Sequence, residues 1–172
     1  MFDPNAYENM KVVIEGIVYD HDLNGDILII ERNDLVNLAN MSRSFSLVFI
    51  LKNDKQPKIE TKLELSATLF QMAAEWYPIN EEPGANFRIV FKMIADFNEI
   101  LHKRIDKYIR ESFSKNYTIS WTKTITHDSN IYYQYELACK TILTENEMDE
   151  ISLIMEQIID AKEKISQMIR FA

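Results

Sequence analysis

The chain has 172 residues, 47% of them hydrophobic, with only three glycines and four prolines, so it can bury a sizeable core and has no long linker or low-complexity tract. Its formal charge of -8 is spread along the chain, which argues against nucleic acid or an anionic membrane as the main partner, because both need a basic surface. A single cysteine, Cys139, rules out an internal disulfide and points to a reducing, cytoplasmic compartment.

Residues 1–11 lack the charged and apolar regions of a signal peptide, and no apolar run approaches the roughly 18–20 residues that span a bilayer. Abundant Ile and Asn, with Lys in excess over Arg, suggest an AT-rich, bacterial genome.

Taken in chain order, Asp3-Pro4 reads as a cap and first turn of a short helix over 3–9. "KVVIEGIVYD" is rich in β-branched residues and reads as a strand. Residues 20–31, "DHDLNGDILIIE", support two readings. Asp20, Asp22, Asn24, Gly25 and Glu31 fill the calcium-loop pattern D-x-[DN]-x-[DN]-G-x5-E, with the Asp26 carbonyl as a further ligand.

Leu28, where a polar ligand or water belongs, and the strand-like flanks count against that reading. The alternative is a β-hairpin with Asn24-Gly25 at its tip. It accounts for more residues and is the preferred reading. Asn33 or Asp34 then caps a short helix through Met41.

"SFSLVFILK" over 44–52 is apolar on both faces, as in a central strand covered on each side. After a polar turn over 52–57, "KIETKLEL" alternates, with Ile59, Thr61, Leu63 and Leu65 on one face. Ser66 caps a helix that Pro78 stops. "INEEPGAN", 79–86, is the best internal boundary of what is otherwise a single domain over 1–172.

"NFRIVFKMIA" reads as a strand, and Asp96 with Glu99 as the start of a helix to about Lys115. "YTISWTKTIT" puts Tyr117, Ile119, Trp121 and Ile125 on one face and Thr and Ser on the other. "HDSN" turns the chain into "IYYQYELACKTIL". Thr144 and Glu147 form a capping box for a last helix over about 145–170.

The expected fold is α+β: a largely antiparallel sheet of about seven strands, four or five helices packed on it, and a long C-terminal helix.

That helix carries Met148, Ile151, Met155, Ile158, Ile165 and Ile169 near a heptad seam, interrupted by Lys162. The stripe is expected to pack on the sheet and to extend into contact with a protein partner or a second copy. "HKRIDKYIR", 102–110, fits the solvated face of an amphipathic helix better than an anion site. Cys139, among Ile131, Tyr133, Tyr135 and Leu137, is expected to be buried and inert.

His127-Asp128 at a turn is weak evidence for a catalytic pair. Nothing marks a cofactor. The sequence favours a non-enzymatic, self-associating interaction or adaptor protein. A calcium-binding protein using 20–31, or an enzyme whose site assembles only in three dimensions, are the alternatives.

Overall fold

The computed structural model describes residues 5–53, 59–77, 83–94, 98–127 and 131–171. The expected features at Asp3-Pro4, Pro57, Pro78, Asp96 and Asp128 lie outside these residues.

The chain opens with helix α1 (Asn5–Asn24) and continues through strands β1 (Ile27–Asn37), β2 (Ser42–Leu51) and β3 (Ile59–Ala67). A one-turn helix, α2 (Leu69–Ala73), precedes β4 (Asn86–Ile94) and α3 (Glu99–Phe113). The hairpin β5 (Tyr117–Ile125) and β6 (Ile131–Cys139) is followed by a 3₁₀ turn (Glu145–Glu150) and α4 (Ile151–Arg170). The six strands form one antiparallel sheet in the order β1-β2-β3-β4-β6-β5. β3 pairs directly with β4, so the strands on either side of the expected boundary lie in one sheet.

One face of the sheet holds the core. Phe45, Leu47 and Phe49 of β2, Ile59, Leu63 and Leu65 of β3, Phe87, Ile89 and Phe91 of β4, and Tyr133, Tyr135 and Leu137 of β6 are all buried. All four α-helices add buried side chains to this same cluster. On the other face stand Glu60, Lys62, Glu64, Arg88, Lys92 and Glu136, around a shallow depression of about 290 Å³. β2 is therefore apolar on both faces, but only one meets helices. Val48 on the other face is half-buried and sits opposite Lys62 and Glu31.

Three sequence expectations fail in the first quarter of the chain, the hairpin over 20–31 among them. "KVVIEGIVYD" is helix, which removes one of seven expected strands. Its five β-branched residues and Gly16 cost about 3–4 kcal/mol relative to alanine in a helix. Burying Tyr7, Met10, Ile14 and Val18, all nearly inaccessible, returns about 6–12 kcal/mol. Packing outweighs propensity. The helix expected from Asn33 to Met41 is instead the end of β1 and a turn, because β1 finds a ladder partner in β2 from Ile27↔Leu51 to Asn37↔Ser42.

Other boundaries shift less. α2 starts from Thr68, whose capping box uses Gln71, and ends well before Tyr77. α3 is capped by Asn98, whose side chain accepts from the Leu101 amide. The Thr144–Glu147 capping box is present, but it opens the 3₁₀ turn that leads into α4.

Candidate interaction surface

Residues 20–31 form neither a hairpin nor a helix-loop-helix. Asn24 ends α1 and Gly25, at φ 86°, follows it. The Gly25 amide donates to the Asp22 carbonyl at 3.1 Å and the Asp26 amide to the His21 carbonyl at 3.0 Å, a Schellman cap. The same Asn-Gly pair that favours a hairpin tip therefore serves here as a helix stop.

The acids are engaged separately. Asp26 pairs with His21 Nδ1 at 2.9 Å, Asp22 accepts from the Ile29 amide at 3.4 Å, and Glu31 accepts from the Asn33 amide group at 2.6 Å. Asp20 is exposed. Among the described residues, no three His, Cys, Asp or Glu side chains are placed to hold a metal.

The C-terminal stripe is spent inside the chain. Met148, Ile151, Met155, Ile158 and Ile165 are buried in the core, and Ile169 packs half-buried against it. Ile158 is 0% exposed, so these residues have little to offer a partner. α4 lies between α1 and α3 and has no outer seam of the same side chains. Lys162, which interrupts the stripe, is buried as well. Its Nζ donates to the Phe49 carbonyl at 3.1 Å and sits 4.4 Å above the Phe49 ring.

The run 102–110 divides. Lys103, Arg104 and Lys107 face solvent, while His102 and Asp106, one helical turn apart, turn towards β5 and β6. The His102 ring is 4.3 Å from that of Trp121 and 5.2 Å from that of Tyr133. His102 Nε2, Asp106 Oδ1 and the Tyr135 hydroxyl are buried without hydrogen-bond partners among the described residues. Burial pushes the Tyr135 phenol up, and the Asp106 carboxylate adds to it.

Cys139 is half-buried rather than buried, with its sulfur 3.8 Å from the Thr141 hydroxyl. His127 is exposed.

The feature that sequence reasoning missed is the β1 edge. β1 closes one side of the sheet, and its second backbone edge meets no strand among the described residues. It is 11 residues long, and Leu28, Ile30, Leu35 and Val36 are exposed along it, Leu35 at 58%. A bulge between Ile29 and Glu31 divides it, leaving a regular stretch from Glu31 to Asn37.

α1 overlies this edge and is tied to it by charge. Arg32 Nε donates to Glu15 at 2.5 Å, and Lys11 Nζ reaches Asp34 at 2.9 Å and Glu8 at 2.5 Å. Arg43 joins the group by pairing with Glu8. Burial works to raise the Glu8 and Asp34 carboxyls, but hydrogen bonds from Lys11 and Arg43 hold both below the ordinary carboxylate range.

Next to Glu15 and Asp22, which bond to Arg32 and to the Ile29 amide of β1, helical spacing places Val12, Tyr19 and Leu23, all exposed. An apolar helix row thus overhangs an apolar strand edge. The available signal was the Tyr7, Met10, Ile14, Val18 spacing, which identifies α1 and leaves β1 as the first strand.

Against protein families, curated proteins and solved structures, the chain finds no match.

Proposed function

We propose that this chain is a non-enzymatic interaction module of a reducing, cytoplasmic compartment, and that it works by lending the β1 edge to a protein partner. The observation that carries this reading is the pairing of two unsatisfied surfaces at one place: a long strand edge and the exposed row Val12, Tyr19, Leu23 beside it. An open edge offers main-chain hydrogen bonds for strand addition. The apolar row adds burial of the kind found at the centre of interfaces.

The formal charge of -8 of the whole chain disfavours nucleic acid and anionic membrane as the occupant. No helix among the described residues is long and apolar enough to cross a membrane.

Hydrogen exchange of the native chain in cell extract tests this. Binding should slow exchange at β1 amides from Glu31 to Asn37. Combined replacement of Tyr19 and Leu35 by Lys should remove that protection without lowering the melting temperature, since both side chains are exposed. Protection confined to any other element, or none at all, overturns the reading.

A further inference from the structure

We propose that the occupant of the β1 edge is a second copy of this chain, joined strand to strand about a two-fold axis through Asn33, so that two six-stranded sheets become one of twelve. This rests on the interaction reading above and names its partner.

The register follows from charge and parity. Residues directly opposite on antiparallel strands point to the same face. On β1, Arg32, Asp34 and Val36 share the helix-side face with Leu47, Phe45 and Arg43, while Glu31, Asn33 and Leu35 share the other. A two-fold axis perpendicular to the sheet must pass through one residue of this alternation.

Placed at Glu31, at Arg32 or at Asp34, the axis sets like charge directly on like charge, which is destabilising. Placed at Leu35, it sets Asp34 opposite Val36 and makes no ion pair. Placed at Asn33, it sets Arg32 opposite Asp34 of the second copy, twice by symmetry, and the two Asn33 amide groups face each other. The pairs from 31 to 35 then stop short of the bulge at Ile29–Glu31.

The side chains can meet this demand. Arg32 engages Glu15 through Nε and lies 5.3 Å from the centroid of the Phe45 ring, and its two terminal nitrogens make no hydrogen bond among the described residues. Asp34 faces Lys11 through Oδ2 and only distantly, at 3.5 Å, Arg43 through Oδ1. Above the seam, the same axis brings the Val12–Tyr19–Leu23 row of one copy towards that of the other, so the ladder and the helix row close together. β5, the other edge, has no pair of opposite charges to set against itself: Thr118, Ser120, Thr122 and Thr124 alternate with Tyr117, Ile119, Trp121, Lys123 and Ile125, and Lys123 is its one charge.

Two single variants provide the test, Arg32→Glu and Asp34→Lys, each confirmed folded by circular dichroism. Each alone sets two like-charge pairs across the axis and should sediment as a monomer at concentrations where the wild type is a dimer. Mixed in equal amounts they should recover the dimer mass, because each acid then faces a base of the other chain. Mixing cannot repair damage within one chain, so recovery reports the contact itself. In a Cys139→Ser background, Asn33→Cys should give an intermolecular disulfide on mild oxidation and Thr122→Cys should not.

A wild type that stays monomeric up to roughly 1 mM, a dimer indifferent to both variants, or a mixture that stays monomeric overturns the proposal. If β1 amides are still protected in extract when the pure chain is monomeric, the second copy is wrong and the edge reading stands. If they are not, both fail.

Discussion

β1 and β5 bound the same sheet, but their chemistry differs. β1 shows Leu28, Ile30, Leu35 and Val36 to solvent and lies under a helix held to it by a charge network. β5 shows a ladder of hydroxyls with Lys123; of its large side chains Tyr117 is buried, Trp121 is partly covered by His102 of α3, and Ile125 at the strand end is exposed. Short polar side chains and lysine are how natural proteins blunt an edge against pairing.

β5 carries hydroxyls along its length and exposes apolar surface at Trp121 and Ile125, whereas β1 combines four exposed apolar residues with a bulge and the charges Glu31, Arg32 and Asp34. The difference between the two edges is what the proposed pairing at β1 rests on. It also gives three ways to probe that contrast within the single chain.

The largest effect should come from the helix that supports the β1 end. Ile14 is 1% exposed and anchors α1 in the core. Replacing it with Asp buries an unpaired carboxylate, at a cost of about 3–5 kcal/mol, and should leave the chain largely unfolded at room temperature. Thr122→Asp on exposed β5 should stay within about 0.5 kcal/mol of the wild type. Chemical denaturation of both variants checks the pair. A mild effect at Ile14 would mean that α1 is not part of the folding unit.

Acid should loosen the β1 end first. Glu8 and Asp34 have folded pKa values below their ordinary ones, with burial opposing and hydrogen bonds from Lys11 and Arg43 prevailing. A depressed carboxyl contributes stability that is fully present above its unfolded pKa and is lost as pH falls through the folded value. Melting temperature should therefore hold from neutrality to about pH 5 and fall by about 5–10 °C by pH 3. Glu64, held low in the same way by Lys62 and Arg88 against its burial, adds to the loss from the middle of the sheet. Hydrogen exchange should show α1 amides opening before those of α3. Simultaneous opening would remove the distinction between the two ends.

How far the sequence shows this structure depends on whether a segment's local pattern and its tertiary role agree. For β3 and α4 they agree: the alternation from Ile59 to Leu65 and the Ile/Met stripe each have one solution, and the structure adopts it. For α1 they conflict. Val12, Val13, Ile17 and Val18 argue for strand by composition, while Tyr7, Met10, Ile14 and Val18 argue for helix by spacing, and the spacing wins because it is what the core sees. Asn24-Gly25 was ambiguous in principle, since a glycine with positive φ serves a hairpin and a helix stop equally.

The interaction surface was the least legible part. That β1 lies at an edge is a property of strand order, which no stretch of β1 encodes alone. The inward turn of His102 and Asp106 was hidden in the same way, because a basic run draws attention to charge and away from the i, i+4 pair within it.

The smallest effect, and the sharpest contrast, lies in two buried tyrosines, one towards each end. The Tyr7 hydroxyl donates to the Leu65 carbonyl at 3.2 Å. The Tyr135 hydroxyl is equally buried and has no partner among the described residues. Both phenols are pushed up by burial, so both are neutral at physiological pH. Tyr7→Phe removes a donor and leaves a carbonyl under-satisfied, which should cost about 1 kcal/mol.

Tyr135→Phe removes a hydroxyl whose desolvation nothing offsets, and should be neutral or stabilise by up to about 1 kcal/mol. Equilibrium denaturation of the two variants, compared at a common slope, reads the sign directly. An equal loss in both would show that the Tyr135 hydroxyl is hydrogen-bonded in solution. The niche it shares with His102 and Asp106 would then be a hydrated polar site, and the β5 end would owe part of its stability to that site and not only to aromatic packing.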